Sequence, residues 1–473
     1  MEEQGYDYGM IGLGTMGRNL VYNMCDHGYS VAGYDKDISM VETMEQYKGN
    51  FKILGARTLK ELTDALKSPR VLLLLVPAGP IVDAVIEMLK PLLSQDDLVI
   101  DCGNSHFMDT NLRIEKLAKE NINFMGIGIS GGEYGARNGP SIMPGGSKAI
   151  YERVAPMLEA ISAKANGEPC VTYLGTGSAG HYVKMVHNGI EYALMEIIAE
   201  AYHLLKQGAD INNNQLHEIF SKWNEGALQS FLISITAEIF KKKDDLTGND
   251  LVDMILDTTH QKGTGAWTTE DAMALQVPVP VIDISVSMRN ISVLRVERQA
   301  AEKVLSRPEM EIHYTKDELV EVLEHALEFA IITVFAQGME LLHYASNIYK
   351  YDLKLENIAT IWREGCIIRA SVLEEIRTAF TMQPTLPNLM LSGVFKERLI
   401  GLQENARQIA RIGLDTGVPL PAFMASVAYY DSYRSGWLPG NLLQAQRDYF
   451  GAHTYERIDR EGIFHTQWDQ IKS

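Results

Sequence analysis

GHYVKMVHNGIEYALMEIIAEAYHLLKQG, residues 180–208, has the length and apolar content of a long, mostly buried helix. Within it Lys184, His187, Asn188, Glu191 and Tyr192 stand at i, i+3, i+4, i+7 and i+8, so a helix places all five on one face. Met185, Val186, Ile190, Ala193, Leu194, Ile197 and Ile198 leave little of the remaining circumference polar. A cation, a carboxylate, an imidazole and an amide are costly to bury together unless they are paired or meet a polar ligand. A solvated ladder of ion pairs is the bland alternative. The apolar remainder of the helix argues instead for a site.

Upstream of this stretch, the apolar run Tyr8–Leu13 ends in Gly12-Leu13-Gly14-Thr15-Met16-Gly17 and is followed by a helical segment. A glycine-rich turn between strand and helix lets the backbone approach a pyrophosphate, whose charge then meets the free N–H groups of the helix N-terminus. A second strand, Tyr29–Tyr34, ends at Asp35, which satisfies the remaining contextual requirement of a dinucleotide-binding turn. Further strands are expected at Val71–Val76, Leu98–Asp101, Phe124–Ile129 and Val171–Leu174, with helices between them. Near-continuous apolar strands alternating with helices indicate a Rossmann-type α/β fold, a doubly wound parallel sheet whose ligands lie at the carboxyl ends of its strands. The loops there include VPAGP after Val76, CGNSH around Asn104, and ISGGEYGARNGPSIMPGG beginning at Ile129. Asn104 and Ser130-Gly131-Gly132 offer amide, hydroxyl and uncovered backbone donors suited to a polyhydroxy acid.

Downstream, residues 210–430 read as almost wholly helical, interrupted by Gln261-Lys262-Gly263-Thr264-Gly265-Ala266-Trp267-Thr268 and by Ser287-Met288-Arg289. The expected organisation is a dinucleotide-binding domain at 1–179, a large all-α domain at 180–437 suited to inter-subunit packing, and a C-terminal tail at 438–473. That tail is rich in aromatic residues, unlike disordered tails, and so is expected to lie over something.

The 473 residues are enough for two or three domains, and the formal charge of −18 argues against nucleic acid or an anionic membrane as the main partner. Any anionic metabolite must be met by a local cluster of Lys and Arg. Cys25, Cys102, Cys170 and Cys366 show no CxxC pairing and read as reduced, buried thiols. The acidic start MEEQGYDYG lacks an apolar signal core, and no apolar run approaches the roughly 20 residues that span a bilayer. A cytoplasmic protein is expected.

The segments GLGTMGRNL, CGNSHF, ISGGEYGARNGPSIMPGG, KMVHNGIEY, QKGTGAWT, WREGCIIRA and QAQRDYFGAHTYER together resemble the 6-phosphogluconate dehydrogenases over essentially the whole chain. The resemblance implies oxidative decarboxylation of 6-phospho-D-gluconate to D-ribulose 5-phosphate and CO2 with reduction of NAD(P)+, in the pentose phosphate pathway. It implies Lys184 as general base and Glu191 as general acid. Substrate binding falls to Asn104, Ser130, Gly131, Gly132, His187, Asn188, Tyr192, Lys262, Thr264 and Arg289. The family's dinucleotide contacts match Gly12, Gly14, Gly17 and the Val76 loop, and Leu13, Thr15, Met16, Asp35, Lys36 and Asn104 of this chain are read as joining them. A homodimer is also implied, in which Arg447 and His453 of the tail complete the neighbouring subunit's site.

The chemistry asks for such a set. Guanidinium groups fork onto phosphate and Lys acts as a point charge, which accounts for Lys262, Arg289 and Arg447 in an acidic protein. A lysine can take the C3 hydroxyl proton only when neutral, and burial or a nearby cation lowers its pKa. Once C3 is a ketone it accepts the electrons left by the departing carboxylate, so the reading assigns no metal. Glu191 lies two turns and about 10 Å along the helix, placed to protonate the enediol at C1.

Three places depart from the family pattern, one of them Pro77 in the loop after Val76, where the family often has a Lys. Members using NADP commonly carry an Asn-Arg-Thr-like sequence after the second strand, where this chain has Asp35-Lys36-Asp37; resemblance implies NADP, but a carboxylate there bonds a ribose diol and repels a 2′-phosphate, which leans to NAD. Ala266 replaces a usual Lys beside the substrate segment. The competing readings are a 3-hydroxyacid dehydrogenase acting on a smaller, unphosphorylated acid, and a non-catalytic dinucleotide-binding protein.

Overall fold

A computed structural model describes residues 5–46, 52–261, 263–306, 308 and 314–468. The chain divides into two compact units, Met1–Ser426 and Val427–Ser473. The change of layer expected at residue 180 therefore lies inside the first unit, and the second unit begins earlier than the expected 438.

The first unit opens with β1 (Tyr8–Ile11), β2 (Val31–Tyr34), β3 (Ile53–Ala56), β4 (Val71–Leu74), β5 (Leu98–Asp101), β6 (Asn123–Ser130) and β7 (Ser141–Gly145). They form one sheet in the order β3-β2-β1-β4-β5-β6-β7, parallel throughout except that β7 runs antiparallel to β6. Alternate residues feed cores on the two faces: Met10, Leu73 and Ile100 on one, Ile11, Leu72, Leu74 and Val99 on the other. That two-sided burial is why these strands read as continuous apolar runs. The chain reverses winding direction at β1 and β4, and a crevice at such a switch point is where doubly wound sheets bind ligands.

Three local expectations are corrected. The strands β3 and β7 were not anticipated, and β7 lies within the glycine-rich stretch read as a loop. The strand expected at Val171–Leu174 does not form; Val171 makes only an isolated bridge to Ile142. Pro169 has no N–H to give, and the 170–175 segment meets β7 only at scattered points, Ile142 N–H donating to the Cys170 carbonyl and Leu174 N–H to that of Pro144, while Lys164–Ala165 and Glu168–Pro169 form a separate two-residue hairpin.

The long helix spans Ala179–His203 and packs against β6, β7 and the helices Thr264–Ala274, Pro280–Ser292 and Lys316–Tyr349. Its approach to the sheet depends on missing side chains. A Cβ on Gly128 would stand 2.4 Å from Lys184 Cβ, and one on Gly180 would stand 2.3 Å from the Met143 carbonyl oxygen. On other sides, a Cβ at Gly189 would strike Thr268, at Gly265 the Tyr192 ring, and at Gly338 the Ile190 side chain. Close packing of this kind leaves little freedom to shift the helix without repacking.

The second unit contains the helix Gly440–Gly451 and a small hairpin, Tyr455–Glu456 with Ile463–Phe464. Its centre is Asp448, which accepts from the N–H groups of Thr454 (2.9 Å) and Thr466 (3.0 Å), from Trp468 Nε1 (2.9 Å), and lies 2.8 Å from His465 Nδ1. Burial raises its carboxyl, but these partners together bring it down to about 2. The four cysteines are free and buried. Among the described residues no helix is long and apolar enough to cross a membrane, and no cluster of three His, Cys, Asp or Glu could hold a metal.

Candidate active site

The glycine-rich turn after β1 divides its glycines by task. A Cβ on Gly12, which has φ +96°, would lie 2.4 Å from the Leu75 carbonyl oxygen, and one on Gly17 would lie 1.9 Å from that of Gly12. These two hold helix and strand together. Gly14 has no atom within 4 Å of a would-be Cβ and caps the helix Thr15–Asp26 without a side-chain hydrogen bond. Open space beside uncapped N–H groups fits a pyrophosphate. Thr15 is exposed and Met16 half-buried at that end, whereas the Leu13 side chain is fully buried.

The Leu13 N–H is also engaged, donating to Asp35 Oδ2 at 2.7 Å, while Asp35 Oδ1 accepts from the Asp37 N–H at 2.9 Å. Asp35 thus braces the turn. Lys36 is exposed beside it, and hydrogen bonds from the Ser39 hydroxyl and N–H hold the Asp37 carboxyl below its usual range. Across the switch point, Val76 follows β4 and Asn104 follows β5; Asn104 is exposed between the buried residues Gly103 and Ser105.

The polar face of the long helix meets three surfaces. Lys184, 6% exposed, lies over Gly128 of β6 and has no hydrogen-bond or ion-pair partner among the described residues. Ser130 Oγ is 3.3 Å from His187 Nε2, whose Nδ1 is 3.1 Å from Asn188 Oδ1 and 3.7 Å from Glu191 Oε2. Asn188 Nδ2 donates to Thr264 Oγ1 at 3.0 Å. Tyr192 is covered by Arg289, whose Cζ stands 3.8 Å from the ring centroid. Arg289 is itself buried, and its Nε has no partner. Gly131, φ +118°, faces the carbonyl of Gly365 in the WREGC segment, while Gly132 is unhindered.

Burial governs the protonation of this face. It pushes the Lys184 amine below its usual range, opposed by Glu191 and Cys366. It pushes the Glu191 carboxyl up, opposed by Lys184 and Arg289. Burial and then the Lys184 charge hold His187 well below its usual value, opposed by the Asn188 contact, so its imidazole is neutral. The same burial thus makes the amine easier to deprotonate and the carboxylic acid, two turns away, harder to deprotonate.

Of the residues expected from sequence, Ser130, Gly131, Lys184, His187, Asn188, Glu191, Tyr192, Thr264 and Arg289 are brought together. Lys262 lies outside the described residues. Arg447 and His453 belong to the second unit, both exposed; Arg447 Nη1 donates to Gln444 Oε1 at 3.1 Å and the His453 ring lies against Phe450. Three contributors were missed. Gly128 seats Lys184, and its only sequence signal was the alternation of glycine in GIGIS. Thr268 donates to the carbonyls of Met185 and Thr264, fastening the QKGTG segment to the helix. Cys366 adjoins Lys184 electrostatically, and nothing in its spacing announced that.

Comparison with known proteins covers both halves of this arrangement. Residues 7–175 match the family described as the NAD binding domain of 6-phosphogluconate dehydrogenase, and residues 180–468 match the 6-phosphogluconate dehydrogenase C-terminal domain. The chain is 50% identical over 461 residues to the NADP(+)-dependent, decarboxylating 6-phosphogluconate dehydrogenase of Bacillus subtilis, covering 97% of this chain and 98% of that one. It is 49% identical, with the same coverage, to the decarboxylating 6-phosphogluconate dehydrogenase of Escherichia coli. A solved structure of Plasmodium falciparum 6-phosphogluconate dehydrogenase, described as apo, with its cofactor NADP+ and with its substrate 6-phosphogluconate, superimposes with a TM-score of 0.94 at 42% identity, over 98% of this chain and 100% of that one.

Proposed function

The chain belongs to the 6-phosphogluconate dehydrogenase family, and on that premise we propose that Lys184 is its general base and Glu191 its general acid. The enzyme oxidatively decarboxylates 6-phosphogluconate to ribulose 5-phosphate and CO2, using a nicotinamide dinucleotide. The observation that carries the residue assignment is the buried, partnerless amine of Lys184 two turns from a carboxyl raised by burial.

When bound, the dinucleotide accepts the two electrons released at C3. Gly14 and the uncapped helix start beside it would hold its pyrophosphate, and Val76 and Asn104 would be further contacts to it. Neutral Lys184 takes the proton of the C3 hydroxyl, and then, as an ammonium, holds the C3 oxygen while the C1 carboxylate leaves as CO2. Glu191, whose carboxyl burial makes harder to deprotonate, delivers the proton that the enediol needs at C1. Ser130, neutral His187 and Asn188 orient the hydroxyls between the two ends. Arg289, whose buried Nε lacks a partner, and Lys262 meet the phosphate.

Turnover of 6-phosphogluconate, followed as CO2 and reduced dinucleotide together, tests these roles. Replacing Lys184 abolishes both signals; replacing Glu191 chiefly slows release of ribulose 5-phosphate after CO2 has formed. Full turnover by Lys184→Ala would sink the assignment.

The finer cofactor reading leans to NAD. Asp35 presents a fixed charge whose oxygens each accept one backbone N–H and keep a second lone pair for a ribose hydroxyl. Asp37 adds a second carboxylate, with Lys36 as the neighbouring cation. The expected result is a kcat/KM for NAD at least equal to that for NADP; an NADP preference above about 100-fold, roughly 2.7 kcal/mol, overturns it. The subunit is also read as half of a homodimer, with Arg447 and His453 completing the partner's site. The exposure of both residues on a unit organised by Asp448 supports that reading.

A further inference from the structure

We propose that Arg113 and Asp101 form a positioning pair that fixes the two cofactor-facing loops relative to the helix of Lys184. Arg113 projects from the helix Phe107–Ala118 and is 4% exposed. Its Nε donates to Asp83 Oδ1 at 2.8 Å and its Nη2 to Asp83 Oδ2 at 3.0 Å and to the Gly79 carbonyl at 3.1 Å. Its Nη1 reaches Ser105 Oγ at 3.2 Å and Asp101 Oδ2 at 3.5 Å. A guanidinium has five N–H donors, and each of the five has a protein oxygen. No donor remains for a phosphate, so this buried cation acts through the loops it holds.

Both loops are held at the points that matter. Asp101 Oδ1 accepts from the Gly103 N–H at 3.0 Å and Oδ2 from the Ser105 hydroxyl at 2.6 Å, which pins the residues on either side of exposed Asn104. Gly79, φ +88°, ends the Val76 loop and caps the helix Pro80–Leu89, and Asp83 lies in that helix's first turn. The loops also touch: a Cβ on Gly103 would be 3.2 Å from the Val76 carbonyl oxygen. The link to the base runs through His181, one turn before Lys184. Its Nε2 lies 3.1 Å from the Asp101 carbonyl oxygen and its Nδ1 lies 2.6 Å from Thr110 Oγ1, on the helix that carries Arg113. One network therefore spans the Val76 loop, the Asn104 loop and the helix of the base.

The inference rests on the reading of Val76 and Asn104 as cofactor contacts, and the test separates the two. NAD+, NADP+ and 6-phosphogluconate are titrated separately by calorimetry into the full-length wild type and into Asn104→Ala, Arg113→Lys, Ser105→Ala and Asp83→Asn. Asp83 is the exposed end of the network, so its variant folds even where a change at Arg113 does not. Arg113→Lys and Ser105→Ala are expected to raise the dinucleotide Kd about tenfold and Asp83→Asn about threefold, because outer partners that orient contact groups carry effects of that order. The 6-phosphogluconate Kd rises less, about threefold at most, because Asn104 is one substrate contact among many, and in turnover the KM for dinucleotide rises more than that for 6-phosphogluconate. Weaker dinucleotide binding in Asn104→Ala with none in the network variants overturns the positioning pair alone. No change in Asn104→Ala overturns the cofactor reading, and the pair falls with it. Equal losses for all three ligands, accompanied by a lower Tm, reduce Arg113 to a structural ion pair.

Discussion

Lys184 and Arg113 are both cations in the interior of the first unit, exposed to 6% and 4%, and the protein treats them in opposite ways. Arg113 directs all its donors at protein oxygens, two of its partners being carboxylates. Lys184 meets a glycine, a neutral imidazole and a carboxyl further along its own helix, and none of them bonds its amine. A guanidinium that must stay charged is given every compensation, since removing one partner of a buried pair is strongly destabilising. The amine proposed as the base, which in that role would cycle between charged and neutral, is given almost none, because a strong partner would fix it in one state. The completeness of its compensation, rather than burial itself, separates a charge used to build from a charge used to react.

The largest effect expected from breaking this contrast is on turnover. Lys184→Met keeps the apolar stem and removes the amine, so kcat falls about 10⁴-fold, while resistance to urea holds level or rises. Wild-type stability itself should depend on pH through this group. Its folded pKa lies below its ordinary 10.5, so between the two the unfolded chain holds a proton that the folded chain has released, and stability increases with pH across that window. As pH falls through the folded value that gain is lost. The Met variant lacks this dependence, and urea titrations at neutral and alkaline pH measure the difference.

Arg113→Met inverts the pattern. It strands Asp101, 1% exposed, without its cation, and a loss of about 3–5 kcal/mol is expected. Adding Asp101→Asn removes the stranded charge and should recover part of that loss, so the double variant unfolds at higher urea than Arg113→Met alone. If Lys184→Met and Arg113→Met cost the same stability, the distinction between the two cations collapses.

The same contrast sets what could be read from the chain. The polar face of the long helix was legible because its five residues follow helical spacing, and the glycine turn was legible because strand and helix flank it. The paired cation was not: Arg113, Asp83 and Asp101 come from two helices and a strand end, and no local period connects them. Nor was the seat of Lys184, where Gly128 matters through an atom it lacks. Strand β7 escaped because Ser141–Gly145 holds Pro144 and Gly145 on an edge, where pairing with β6 overrides weak local propensity. Leu13, read as a dinucleotide contact from its place in the motif, gives its N–H to Asp35 and its side chain to the core.

A smaller effect sharpens the contrast within the helix itself. Lys184 has one charged neighbour that counts, Glu191, and that carboxylate raises the pKa that burial lowers. Glu191→Gln removes the opposing charge without removing bulk, so the amine becomes easier still to deprotonate. The oxidation step needs the neutral amine, and its rate therefore climbs with pH through the Lys184 pKa. In Glu191→Gln that rising limb moves to lower pH, even though overall turnover is slower for want of the acid. Single-turnover reduction of dinucleotide across the pH range isolates oxidation from the later protonation. A limb that stays in place, or moves to higher pH, means that Glu191 does not tune the base, and the pKa of Lys184 would then be set by burial alone.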